Sequence, residues 1–442
     1  MTADRNERRA PLGLRRGLAP ALGVVPLAVL AACGGGDPGA ATSLTWYTIP
    51  DNGGQAEVAA ACSESSEGAY TIETASLPSD ADAQREQLIR RLAANDASID
   101  IMSLDPPFVP EFAEAGFIAD IPDELAETFT DDVFDAAVES ATWKDELVAA
   151  PMWTNTQLLW YRTSVAEEAG LDLESGPVTW EQVIDAAEET GTTISVQANR
   201  YEGYTVWINA LIEGAGGQVL ENPEAEPEDL ELGLDGDAAA EAAAVIRQAV
   251  DAGVVGPSVS TSTEEESLAL FQREGSGFMV NWPYVYEAFN GAVESGALDE
   301  AFLDDLGWTT YPRTVEGEEA APPFGGGAVG VGAFSENGDL ALEAVECLVS
   351  PESQKLLWQV NGVPAATRSV YDDEEIQEQY PAADAIRESM ELSRPRPLTP
   401  YYGEVSQSLQ RTFHPPGEVD PDRTPQEAAD LIQGVLAKED LL

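Results

Sequence analysis

The chain has 442 residues, enough for two domains with cores of their own. Its 80 Asp and Glu stand against 22 Lys and Arg, a formal net charge of −58. Such a charge repels phosphate backbones and anionic lipid, which excludes nucleic acid as a partner and leaves a covalent anchor as the way to hold the chain at a membrane.

Residues 1–32 read as an export signal and not as part of the fold. Arg5, Arg8, Arg9, Arg15 and Arg16 make a basic start. Leu18 to Ala32 is an apolar run ending in small residues, too short and too broken by Pro20 and Pro26 for a spanning helix. Leu30-Ala31-Ala32-Cys33, followed by Gly34-Gly35-Gly36, resembles a bacterial lipobox. The resemblance implies cleavage before Cys33 and diacylglycerol on its sulfur, with residues 33–40 as a tether; an ordinary secretory signal with a chance cysteine is the other reading. Two acyl chains hold stably where one is marginal, so the expected location is the extracytoplasmic face of the cell membrane. Without residues 1–32 the chain keeps 17 basic against 78 acidic residues. The acids are scattered, as in Glu264-Glu265-Glu266 and Asp372 to Glu375, and read as solvated surface suited to a saline or alkaline habitat.

With Cys33 assigned to lipid, Cys62 and Cys347 remain as an even pair in an oxidising compartment. A Cys62–Cys347 disulfide is the simplest reading, and two buried free thiols are the alternative.

Leu44-Thr45-Trp46-Tyr47 predicts a strand, Gln55 to Cys62 a helix, Tyr70 to Ala75 an extended segment, Asp82 to Ala94 a helix and Asp100 to Leu104 a short buried strand. This alternation signals an α/β domain with a mostly parallel sheet. Ala149-Ala150-Pro151 marks a domain edge, followed by the extended, aromatic segment Pro151 to Arg162. Thr179-Trp180-Glu181-Gln182 opens a helix, Ala238 to Gly253 is an amphipathic helix with Gly253 as its stop, and the middle of the chain reads as a second, more helical domain. Gly325 to Gly332 is a glycine-rich strand. Helices Leu340 to Leu348 and Pro351 to Val360 follow, and from Asp372 on the chain is helical apart from Arg394 to Pro400.

The lipobox, Thr179-Trp180-Glu181, Ile212 to Gly217, Phe278 to Tyr284 and Ser350 to Gln354 occur in the order that marks family 1 extracellular solute-binding proteins of the maltose-binding type, and the resemblance spans the chain beyond the signal. More narrowly, Thr154 to Arg162 and Arg394-Pro395-Arg396-Pro397 are similar to trehalose-binding lipoproteins of actinobacteria. The resemblance implies a two-lobed, type II periplasmic-binding-protein-like α/β fold with hinge strands. It places lobe one at 41–152 and 322–366 and lobe two at 153–321 and 367–442, with Cys62 and Cys347 both in lobe one, where their bond leaves the hinge free. The implied function is delivery of a disaccharide, trehalose first and maltose or another α-glucoside next, to an ABC permease with a cytoplasmic ATPase. The implied state is a monomer that needs no cofactor and no metal.

A neutral sugar asks for a flat apolar face under its C–H groups and planar polar groups around its hydroxyls. Trp282, between Asn281 and Pro283-Tyr284, stands where the family stacks a Trp on the sugar; a core Trp is the competing account. Asn155 lies in the crossover segment, able to bridge two hydroxyls or to make a plain turn. Asp105 ends a buried strand, where strand C-termini face the cleft. Asn52 and Gln55 follow the first strand, in a turn that Asp-Asn-Gly-Gly chemistry alone also explains. Gly326, with Gly325 and Gly327, admits a ligand close to the backbone or marks a bulge. Arg396, with Arg394, offers a fork for vicinal hydroxyls or an ion pair with the acidic coat. Tyr402 is a second stacking face or a packed core Tyr, and Glu265, like Glu264, is a carboxylate in reach of the same cleft.

Enzyme readings are weak. The single histidine, His414, sits beside Pro415-Pro416, and the chain has no phosphate loop, no clustered metal ligands and no Gly-x-Ser-x-Gly elbow. A secreted glycoside hydrolase using a carboxylate pair is the rival from another class.

Overall fold

The computed structural model describes residues 41–442 apart from Glu174 and Ser175. The expected export signal and tether, with Cys33, lie outside the described residues. No described helix is long and apolar enough to cross a membrane.

Two separate sheets organise the chain. β1 (Thr42–Thr48) alternates, with Leu44, Trp46 and Thr48 facing inward. β2 (Tyr70–Ser76) and β3 (Ile101–Leu104) lie parallel to it on either side, and β3 is buried throughout, as a central parallel strand must be. The hairpin β4 (Thr142–Trp143) and β5 (Glu146–Leu147) turns through Lys144 and Asp145, both at positive φ. β6 (Ala150–Thr156) belongs to the first sheet; it carries that sheet past Met152 before the chain crosses at Gln157 into β7 (Leu158–Arg162) of the second. β8 (Thr193–Ser195), β9 (Ser276–Asn281) and β10 (Leu306–Thr309) complete the second sheet, in the order β10-β7-β9-β8. β11 (Phe324–Val331) returns to the first sheet, antiparallel to both β3 and β6, giving the order β2-β1-β3-β11-β6. The expected α/β fold with two sheet-containing lobes is present, although the first sheet is mixed because β11, returning from the other lobe, runs against its neighbours β3 and β6.

The helices Gly54–Ser65 and Ala81–Leu92 flank the first sheet. Asp80 caps the second of these by accepting from Ala83 N at 2.9 Å. The expected start at Thr179 is a capping box, with the Thr179 and Gln182 side chains each accepting from the other's backbone. The helix Glu202–Glu213 is buried along nearly its whole length, from Gly203 to Ile212. It forms the centre of the second lobe's core with Trp180, Ile246 and Phe413. A further core joins the lobes: Phe134, Phe324 and Trp358 meet Trp160, Phe271, Met279 and Phe289.

Cys62 and Cys347 are bonded, with Cα atoms 5.8 Å apart. Cys62 packs with Leu44, Trp46, Val345 and Leu348 in a core of the first lobe, and Cys347 lies against that core, so the expected disulfide exists and crosses no lobe boundary.

Candidate functional site

The site is built where the chain passes from one sheet to the other. At the end of β9, Asn281 is fully buried and fixes the turn that follows it. Its Nδ2 donates to Glu264 O at 3.1 Å and to Ser267 Oγ at 3.0 Å, its Oδ1 accepts from Trp282 N at 2.9 Å, and its carbonyl accepts from Trp160 Nε1 at 3.0 Å. This scaffold leaves Trp282 half-buried, with its indole against β11. A Cβ placed on Gly325 would stand 3.0 and 3.1 Å from the indole Cζ3 and Cη2 and 3.5 Å from Asn155 Cβ. Gly325 and Asn155 are register partners across β11 and β6, so Trp282, Asn155 and Gly325 form one slot. Gly326 next to it has φ +139, and a Cβ there would meet Trp153 O at 2.5 Å; only glycine fits that backbone.

Glu264 leads the helix Glu264–Phe271 and sits against Trp282 and Tyr201. Burial pushes its carboxyl above the usual range, although both neighbours pull it down.

A second group surrounds Arg396. This side chain is 6 % exposed and donates to Asp105 at the end of β3 (2.8 Å) and to Glu202 at the start of its helix (2.6 Å). Burial works against the cation, but Asp105, Tyr402 and Glu202 together hold the guanidinium above its ordinary value. The Glu202 carboxylate also accepts from the Tyr402 hydroxyl and, at 2.7 Å, from Ser406 Oγ. Tyr402 is buried and packs edge-on to Phe108, with ring centroids 5.4 Å apart. The two groups join through the backbone: Arg394 N donates to Pro322 O at 2.9 Å, and Phe324 N donates to Arg394 O at 2.8 Å, directly before Gly325. Asn209 Nδ2 donates to Pro395 O at 3.3 Å from the other side. Arg396 Nε and Asn209 Oδ1 are buried with no hydrogen-bond partner among the described residues. Buried donors and acceptors of this kind can take hydroxyl groups.

Residues 54–355 match the model of the family described as bacterial extracellular solute-binding protein. The chain belongs to that family. A probable ABC transporter-binding protein of Deinococcus radiodurans is 24% identical to this solute-binding protein over 382 residues, 83% of this chain and 86% of the relative. The galactooligosaccharide-binding protein of Bacillus subtilis is 23% identical over 313 residues, covering 68% and 69%. Among solved structures, maltose-bound MalE3 of T. maritima superposes with a TM-score of 0.74 at 23% identity, over 90% of this chain and 100% of that one. The sugar-binding protein MalE of Xanthomonas citri gives 0.75 at 18% identity, over 90% and 98%. These likenesses support the two-lobed fold.

In this solute-binding protein the expected site residues fall into three sets. Trp282 and Asn155 meet in the slot at Gly325, with Gly326 beside it packed on the Trp153 and Thr154 backbone, and Asp105, Arg396 and Tyr402 share the ion-pair network. The rest stand apart from both. Gln55 is buried, with Nε2 donating to Ile49 O at 2.6 Å and Oε1 accepting from Ser103 Oγ at 3.4 Å. Asn52 is exposed, and Glu265 is exposed and accepts from the Tyr284 hydroxyl at 3.0 Å. The guanidinium of Arg396 is occupied by two carboxylates, and the aromatic face of Tyr402 is buried against Phe108. Sequence reasoning passed over Glu202, whose carboxylate ties Arg396, Tyr402 and Ser406 together. A Glu in the first turn of a helix reads as an ordinary dipole partner, so its sequence carries no other signal.

Proposed function

We propose that this chain captures a sugar outside the cell and hands it to an ABC importer, with a disaccharide as the ligand. The observation that carries this reading is the half-buried Trp282 indole beside Gly325, flanked by the carboxamide of Asn155 and the carboxyl of Glu264. An indole face covers sugar C–H groups at low entropic cost, and the flanking planar groups accept and donate to hydroxyls. The galactooligosaccharide-binding relative and the maltose-bound structural neighbour support a glycan. The likeness of Thr154 to Arg162 and Arg394 to Pro397 to trehalose-binding lipoproteins favours trehalose, with maltose or another α-glucoside next.

Capture proceeds by closure. A ligand that touches both lobes, 41–152 with 322–366 and 153–321 with 367–442, binds the closed form better and shifts the equilibrium toward it. The closed monomer, held at the membrane by lipid on Cys33, then docks on the permease.

A thermal-shift screen against mono- and disaccharides tests the reading, since a ligand at 100 times its Kd stabilises by about 2.7 kcal/mol. Trehalose or maltose is expected to raise Tm and to change the tryptophan fluorescence, and Trp282→Ala to abolish both effects. Unchanged affinity in that variant would remove Trp282 from the site, and release of glucose by the purified protein would favour a glycosidase.

A further inference from the structure

The helix Glu202–Glu213 carries a glutamate at each end, and each end faces an acid of the first lobe. At its start, Glu202 opposes Asp82, in the first turn of the helix Ala81–Leu92, closely enough for the two charges to interact. At its end, Glu213 shares a cavity of about 350 Å³ with Glu139, which lies on the short helix Asp135–Ser140. The segment Arg394-Pro395-Arg396 runs along this helix, with Asn209 bonded to Pro395 O between the two arginines. Arg396 reaches Glu202 at 2.6 Å, and Arg394 lines the cavity with Glu213. At the start, Arg396 is already held by Glu202 and by Asp105 of the first lobe, and Asp82 adds a third acid; at the end, Glu139 and Glu213 share the cavity with Arg394.

We infer that closure of the two lobes takes up protons, through the acid pairs Asp82–Glu202 and Glu139–Glu213 that meet across the cleft at the two ends of one helix. The inference rests on the reading of the chain as a closing receptor but not on the identity of its sugar. Apart, Asp82, Glu139 and Glu213 are hydrated and ionised at neutral pH. Brought together under partial burial, one acid of each pair is favoured in its neutral form.

The surroundings fix which member of each pair takes the proton. Glu202 accepts from Arg396, Tyr402 and Ser406, so its charge is already met by three donors. Asp82 has Asp80 and Glu86 beside it on its own chain segment. Arg85, its one basic neighbour, is bound to Glu111 and is also drawn toward Glu404. Burial first, then Glu202, pushes the Asp82 carboxyl up to about 6. At the other end, burial, Glu139 and Glu221 push Glu213 up to about 7 against the pull of Arg394. Burial also raises Glu139. Lys144, Asp145, Glu224 and Arg396 complete the charged wall of the cavity, and Glu318 and Glu319 stand on the far side of Glu213 and Arg394.

The sign follows from linkage. Acids whose values are ordinary in the open form and raised in the closed form oppose closure once they are ionised in both. Closure is therefore favoured in mildly acid medium and weakens as pH rises through about 6 to 7.

Small-angle X-ray scattering of the sugar-free protein between pH 5 and pH 8 tests this without any ligand. The radius of gyration is expected to be smaller at pH 5 than at pH 8. In the double variant Asp82→Asn/Glu213→Gln it is expected to stay at the small value throughout, because the amides mimic the protonated acids. A radius that does not change with pH in the wild type overturns the inference, and so does a double variant that keeps the full wild-type profile, since that would assign the change to the general acidic surface. For whichever sugar the thermal-shift screen finds, Kd is expected to rise by at least about threefold per pH unit over the same window, against about tenfold for one fully coupled proton. Failure of every sugar to bind, with the scattering result intact, would count against the sugar reading alone. Asp82→Asn and Glu213→Gln tested singly, with circular dichroism to confirm the fold, cover loss of the double variant.

Discussion

The Cζ3 and Cη2 atoms of Trp282 stand 3.0 and 3.1 Å from the point where a side chain on Gly325 would begin. The indole is placed by β9 of one sheet and the glycine by β11 of the other, so the missing Cβ lets the two lobes approach at this point.

Gly325→Ala is expected to push the indole aside while leaving the strand intact, because this glycine is not at positive φ. A loss of affinity of roughly tenfold, equivalent to about 1.4 kcal/mol, should be measurable by calorimetry with a sugar that binds the wild type. Wild-type affinity would show that the indole edge is not part of the ligand's contact surface.

Arg396→Met leaves Asp105 and Glu202 partly buried without their cation, and breaking one partner of a buried ion pair costs about 3–5 kcal/mol. Urea unfolding of Arg396→Met, Glu202→Gln and the double variant should give a coupling energy above about 0.5 kcal/mol. Additive losses would mean that the network is packing and not charge.

Replacing both Cys62 and Cys347 by serine is expected to lower stability by about 2–5 kcal/mol. Sugar affinity should remain within about twofold, since the bond ties two helices of one core and leaves the other lobe untouched. A large loss of affinity without a loss of Tm would contradict that placement.

Net charge of −58 destabilises any compact state by self-repulsion. Tm should therefore climb as salt shortens the Debye length from about 30 Å at 0.01 M to about 3 Å at 1 M, in sodium and potassium chloride alike. A flat Tm would show that the acids are spaced too widely to repel.

Much of the architecture was legible because it depends on local patterns. The alternation in Thr42–Thr48, the Thr179 capping box and the ordered motifs each follow from a few neighbouring residues. The Trp282 slot was half legible: the Trp and the glycines announced themselves, but their contact depends on β9 and β11 lying in different sheets. The Arg396 network was misweighted for a related reason. Arg396, Asp105 and Glu202 are separated by 291 and 194 residues, and nothing in their flanking sequence says that two carboxylates would converge on one guanidinium. For Gln55, the place after the first strand suggested a reach toward a ligand, whereas its side chain donates back to Ile49 O, a contact with no signal in the flanking sequence.

The prolines of the segment Arg394-Pro395-Arg396-Pro397 bear on this junction as well. Proline has no amide hydrogen to give, and while Arg394 bonds Pro322 and Phe324 in a parallel bridge, Pro395 and Pro397 turn to the opposite edge. That edge, where Asn209 donates to Pro395 O, has no donor at either proline and admits no further strand. The pairing at this junction is left as a single bridge, a short stitch, and a stitch can pivot where a seam would stiffen.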